Sequence, residues 1–305
     1  MHWGFNENNK FYVEHTGCTR PAGNLKEESD RRARDIYLNN PGKIMLCLSS
    51  GLDSQIALVS FLKQDIPLEC SFLRLDGFNE NEYENLKTLE KKWGFKANVV
   101  NINPNTRRDE IEALKPKLDA HANHCIQHMF VSELPKDYDV IQVLHDPWLI
   151  TNKKDGNHYV YQSYYDPEIA RYRALNAIER IGKIVMFGDS SEYFLSSIND
   201  ELFHYFLDSW VYYDGNGFKL HDTKVYDVLR YEYYIKPMLY AKHWREDLVY
   251  FPKFSGYENI DWLYKEVRAI RKEHQCFIPW KELIIHLKSR TGTAKRFVEL
   301  TDAYK

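Results

Sequence analysis

From residue 43 onward, short apolar runs alternate with longer segments of helical spacing. The runs KIMLCL (43–48), LECSFLRL (68–75), KANVVNI (96–102), DVIQVL (139–144) and KIVMF (183–187) have strand length and read as buried strands. Between the first two lies 53–64, with Ile56, Ala57, Ser60 and Phe61 on one helical face. Residues 79–94 and 167–182 predict helices that stop at Gly94 and Gly182. Residues 107–131 read as one long helix kinked at Pro116. A further helix is expected over 25–38. Five apolar strands separated by helices predict an α/β fold, a parallel five-stranded sheet flanked by helices on both faces. After residue 194 the chain becomes mainly helical and aromatic. The expected organisation is an N-terminal extension (1–40), an α/β domain (41–195) and a helical C-terminal portion (196–305) over the site. Ligands of such sheets lie at the carboxyl ends of the strands, which picks out 49–54, 76–83, 145–165 and 188–193.

The first of these rims carries the most chemistry. Strand one runs into Ser49-Ser50-Gly51-Leu52-Asp53-Ser54 and then into a helix. Small residues let backbone amides approach an anion, the helix N-terminus adds partial positive charge, and the serines add donors. Asp53 would repel a phosphate unless a cation lay between them, so the stretch suits a phosphate with Mg²⁺. It is neither G-x-x-x-x-G-K-[ST] nor G-x-G-x-x-G. The plain alternative is a helix cap by Asp53 or Ser54.

This loop resembles the S-G-G-x-D-S loop of the PP-loop ATP pyrophosphatase superfamily, with Ser50 where the family usually has Gly. A second segment, Phe187-Gly188-Asp189-Ser190-Ser191-Glu192-Tyr193-Phe194-Leu195, resembles the G-E-G-x-D-E-L-F segment of asparagine synthetase-like synthase domains. Asp189 stands for Glu, Glu192 for Asp and Ser190 for Gly. The resemblance covers roughly 43–210. It implies an adenine nucleotide α-hydrolase-like (HUP) fold, with 41–195 as the ATP-binding domain. It implies that Leu48, Ser49, Ser50, Gly51, Leu52, Asp53, Ser54 and Gly188 surround the polyphosphate of ATP. Adenine is expected near Leu73 and Leu75, and Mg²⁺ on Asp53, Asp189 and Glu192. A lysine from the helical portion would neutralise the transition state; Lys224, Lys236 and Lys242 are the candidates, with Lys236 taken forward.

The implied activity is that of an ATP-dependent, AMP-forming ligase or amidotransferase-like enzyme. It would adenylate a carboxylate or carbonyl substrate, release pyrophosphate, and pass the product to ammonia or an amine. Only about 40 residues precede the first strand and His2 follows Met1, so nitrogen is expected from ammonia, an amine or a separate glutaminase. Two alternatives stay open. One is a PP-loop enzyme modifying a nucleobase or tRNA. The other is a nucleotide-binding protein without turnover, whose support is Ser50 and Ser190 in place of glycines.

Composition narrows this little. The chain of 305 residues is 44% hydrophobic with a net charge of −3, so no global attraction to nucleic acid is implied. The basic segment HLKSRTGTAKR (286–296) keeps nucleic acid as a less favoured partner. Cys18, Cys47, Cys70, Cys125 and Cys276 form no C-x-x-C pair, which suits reduced thiols in a cytoplasmic protein without a membrane partner. HANHCIQH (121–128) offers i, i+4 pairs His121/Cys125 and His124/His128 that could chelate zinc or simply pack. His145-Asp146-Pro147 ends the fourth strand, and 151–166 reads equally as a hairpin flap or a surface loop. The 22 tyrosines, most of them within 159–264, fit half-buried positions or an aromatic-lined surface.

Overall fold

The computed structural model describes residues 2–5, 11–14, 18–40, 42–118, 120–143, 147–151, 158–162, 176, 180–198, 200, 211–213, 218–220, 236–251 and 256–263. Strands β1 (His2–Phe5) and β2 (Phe11–Glu14) form an antiparallel pair. Helix α1 (Leu25–Asn39) follows, started by a capping box in which Asn24 and Glu27 satisfy each other's backbone amides. Then come β3 (Lys43–Leu48), α2 (Leu52–Leu62), β4 (Glu69–Leu75), α3 (Glu80–Trp93) and β5 (Ala97–Ile102). Helices α4 (Arg108–Leu118) and α5 (Ala122–Glu133) lead to β6 (Tyr138–Gln142). An antiparallel hairpin, β7 (Pro147–Thr151) and β8 (His158–Gln162), precedes β9 (Ile184–Met186). Beyond β9 the described residues are mainly helical, with α6 (Ser191–Ile198), α7 (Lys236–Trp244) and a 3₁₀ turn at Tyr257–Asn259. They also include the short pair β10 (Val211–Tyr213) and β11 (Phe218–Leu220).

Five strands make the central parallel sheet in the order β5-β4-β3-β6-β9, the 3-2-1-4-5 arrangement of HUP-type α/β folds. Strand β3 is its middle. The chain builds outward through β4 and β5, then returns across β3 to lay down β6 and β9. Side-chain alternation sorts the core by face. Ile44, Leu46 and Leu48 of β3, with Cys70 and Phe72 of β4, pack under α1, α2 and α7. Met45, Leu75, Ile102 and Val140 pack under α4, α5 and Ile260 and Leu263. Residues 54–61 of α2 are buried all round, as expected of a helix enclosed on every side.

The expected helix over 107–131 is two helices. Pro116 lies inside α4, where it removes a donor and crowds the carbonyl four residues back, and the helix ends two residues later. A new start follows at His121, extended at φ −74° and ψ 160°. The expected helix over 167–182 falls mostly outside the described residues.

Candidate functional site

The loop between β3 and α2 is tied by its own serines. The Ser49 N–H donates to Ser54 Oγ at 3.2 Å, and the two hydroxyls are 3.0 Å apart. Ser54 Oγ also lies 2.7 Å from the Ser49 carbonyl oxygen, and the Gly51 N–H donates to Ser49 Oγ at 3.2 Å. Gly51 caps α2 through its backbone alone, at φ −66° and ψ 150°. The amides of Leu52 and Asp53 belong to the first helical turn, where no intrahelical acceptor exists. Among the described residues the single non-glycine with positive φ is Asp65. Ser50 therefore carries no left-handed strain, and neither does Ser190. Ser50 is buried, with its hydroxyl 3.4 Å from Glu82 Oε1 and 3.5 Å from Asn85 Nδ2.

Asp53 faces α7. Lys236 Nζ donates to Asp53 Oδ2, and the Tyr240 hydroxyl donates to Asp53 Oδ1. The lysine side chain is 4% exposed and the aspartate 20%, so the pair is largely withdrawn from water. Lys236 and Tyr240 are four residues apart, and therefore share one helical face. Behind Asp53, Gln55 closes a second connection. Its Nε2 donates to the carbonyls of Ser50 and Val249 at 2.8 and 2.9 Å, and its Oε1 accepts from the Val249 N–H at 2.8 Å. Of the lysines named from sequence, Lys236 reaches the loop, Lys242 pairs with Asp200 at 2.9 Å, and Lys224 lies outside the described residues.

The turn after β9 is held from the N-terminal side. Arg32 of α1 donates to the carbonyls of Phe187 and Met186 at 2.9 and 2.7 Å. Glu192 Oε1 accepts from the Thr19 N–H at 2.7 Å and from its hydroxyl at 3.0 Å, and Glu192 Oε2 lies 3.3 Å from Ser190 Oγ. Burial raises the Glu192 pKa, but the Thr19 hydrogen bonds outweigh it and hold the carboxyl below its usual range. Gly188 is buried, and Asp189 is half-buried with its N–H bonded to the Met186 carbonyl at 3.2 Å. Between this turn and the first loop stands Tyr193. Burial pushes its hydroxyl pKa up, and the charge of Asp53 adds to the rise.

At the end of β4, Leu73 is half-buried and Leu75 buried. The Asn79 carboxamide bonds to both backbones, accepting from the Leu75 N–H at 2.7 Å and donating to the Leu73 carbonyl at 3.0 Å. Glu82 links this corner to the 49–54 loop, its Oε2 3.4 Å from Asn79 Nδ2 and its Oε1 3.4 Å from Ser50 Oγ.

Mg²⁺ needs few protein ligands beside phosphate, usually one or two carboxylates with water. Asp53 fits that role as a single ligand, since a carboxylate has about four lone-pair sites and two are used here. Among the described residues no group of three His, Cys, Asp or Glu could hold a metal unaided. Within HANHCIQH, Cys125 and His128 are buried in α5, and Cys125 belongs to the core. His145 and Asp146 lie outside the described residues.

Tyr240, Gln55, Asn79 and Thr19 were not singled out by sequence. The spacing in Lys236-Pro-Met-Leu-Tyr240 was the available signal for Tyr240, because it puts both side chains on one face. Gln55 and Thr19 act through hydrogen bonds to Val249 and Glu192, far off in sequence, and Asn79 turns back on the Leu73 and Leu75 backbone, which no local pattern marks.

The arrangement defines a HUP-type α/β protein of the adenine nucleotide hydrolase-like topology, with a serine-tied loop at the carboxyl end of its central strand. Comparison of the sequence with protein-family models and with curated proteins finds no match. Among the described residues no helix is long and apolar enough to cross a membrane.

Proposed function

We propose that this chain is an ATP-dependent ligase that forms AMP, with the nucleotide's polyphosphate on residues 49–54. The observation that carries the reading is the meeting of Lys236 with Asp53 at the first turn of α2, which combines a buried cation, a helix N-terminus and paired serines at one strand end. The amides of Leu52 and Asp53 and the hydroxyls of Ser49 and Ser54 would hold phosphate oxygens. Lys236 would offset the charge that grows on the leaving pyrophosphate. Mg²⁺, held by Asp53 and phosphate oxygens with Asp189 bordering it, would supply further charge neutralisation. Glu192, engaged by Thr19, is assigned to holding the 187–192 turn in place.

In the reaction proposed, a substrate carboxylate or carbonyl oxygen attacks the α-phosphorus and pyrophosphate leaves. Ammonia or an amine then attacks the activated carbon, AMP leaves, and the nitrogen loses a proton. The protein's part is positioning and charge compensation. Ser50 and Ser190 carry no left-handed strain, which supports a loop that serine can occupy as glycine does.

The test is Mg-ATP binding by calorimetry and pyrophosphate release with a panel of acids and amines. Asp53→Ala is expected to fold and to lose pyrophosphate release by at least roughly a hundredfold. Turnover preserved in that variant would sink the assignment.

A further inference from the structure

Strand β4 outruns its neighbour β3. Their pairing ends at Leu48 and Phe72, whereas β4 and β5 stay paired to Leu75 and Ile102. The Asp76 N–H bonds to the Ile102 carbonyl at 3.1 Å, so residues 74 and 76 address β5. By strand alternation the Leu73 C=O and the Leu75 N–H face the opposite side, the space beyond the end of β3, while the Leu75 C=O accepts from the Phe78 and Asn79 N–H groups at 2.8 and 3.2 Å. That space adjoins the 49–54 loop, to which Glu82 connects it through Ser50.

A backbone donor at Leu75 beside a backbone acceptor at Leu73 takes a planar partner that presents an acceptor next to a donor. The Asn79 carboxamide is such a partner, with Oδ1 on one group and Nδ2 on the other. The Watson–Crick edge of adenine presents the same pair through its ring nitrogen and exocyclic amine. Asn79 is 2% exposed. It is backed by Gly256, at φ +83°, where an added Cβ would stand 2.4 Å from the Asn79 Cβ. The C-terminal segment thus closes over the side chain.

We propose that Asn79 is a specificity-determining residue that competes with the nucleotide base for the Leu73 and Leu75 backbone. The inference rests on the nucleotide reading above. Base binding requires the carboxamide to leave, while phosphate binding at 49–54 does not. Guanine presents a ring N–H donor beside a carbonyl acceptor, the reverse order, and gains nothing when Asn79 leaves.

Calorimetric affinities for inorganic pyrophosphate, ATP and GTP, all with Mg²⁺, test this in the wild type, Asn79→Ala and Asn79→Asp. Asn79→Ala is expected to raise ATP affinity by roughly tenfold, the size of one or two net hydrogen bonds, with pyrophosphate and GTP unchanged. Asn79→Asp turns a second oxygen toward the Leu73 carbonyl, loosens the slot, and moves ATP in the same direction. It also serves if the alanine variant folds poorly. An ATP-to-pyrophosphate affinity ratio unmoved or lowered in both variants overturns the inference alone. No binding of pyrophosphate or ATP by any of the three proteins overturns the loop reading, and this inference with it.

Discussion

Two turns in this molecule share a plan and differ in their company. Each follows a strand of the central sheet, passes through serine and glycine, and enters a helix with a carboxylate in its first turn. At the β3–α2 turn the carboxylate of Asp53 meets a lysine and a tyrosine delivered from α7. At the β9–α6 turn the carboxylate of Glu192 meets the neutral N–H and hydroxyl of Thr19. One carboxylate is paired with a buried lysine. The other fastens the N-terminal segment through Thr19. Similar sequence at a helix start therefore yields different chemistry, decided by what the rest of the chain brings to it.

The sharpest way to break this contrast is Lys236→Met. It removes the cation paired with Asp53 and leaves that carboxylate largely withdrawn from water, so pyrophosphate release should fall by roughly a hundredfold or more. Stability should also fall, by about 1–3 kcal/mol in a denaturant titration, because Asp53 keeps partial contact with solvent. A next, smaller effect is expected at Gln55→Ala. Three hydrogen bonds to the backbone of Ser50 and Val249 are lost, which should cost about 2–3 kcal/mol of unfolding free energy. Nucleotide affinity measured at saturating folded fraction should drop with it, as the loop and the segment that follows α7 lose a shared anchor.

Glu192→Gln sharpens the comparison from the other side. Turnover should change less than threefold, roughly, while stability falls by about 1 kcal/mol as a charge-assisted bond becomes a neutral one. The acid dependence has a definite sign. Glu192 has a lowered folded-state pKa, so its contribution is complete above the ordinary carboxylate value of 4.5 and is lost as pH falls through the lowered value. The wild type should lose more stability than Glu192→Gln in that acid window, read by thermal melts across pH. The smallest effect belongs to Ser50→Gly. With φ outside the left-handed region, glycine relieves no strain there and should shift stability by less than about 1 kcal/mol, with ATP affinity unchanged. A large gain in affinity would show that the serine hydroxyl obstructs the loop.

Much of the sheet was legible because each strand is a short apolar run with turn residues beside it. Strand β3 matches residue for residue, and β4, β5, β6 and β9 differ from expectation by one or two residues at their ends. The parallel order follows from the helices between the runs. The helix division at 118–122 was hidden because Pro116 marks a disturbance without saying whether the helix bends or stops. In the candidate site, Lys236 was legible as one of three lysines, and only the fold separates it from Lys242, which turns to Asp200. Asn79 was not, because an asparagine at a helix start reads as a cap. Here its side chain makes no cap and turns back to β4 instead.

The separation between Asp53 and its two partners has a consequence in time. They lie 183 and 187 residues apart in the chain. At the usual pace of a ribosome, α7 emerges on the order of ten seconds or more after α2. By then all five central strands have already left the tunnel. A nascent chain can therefore hold an assembled sheet while its central loop still lies open to solvent or to a chaperone. The arrival of Lys236 and Tyr240 marks the moment at which that opening is sealed.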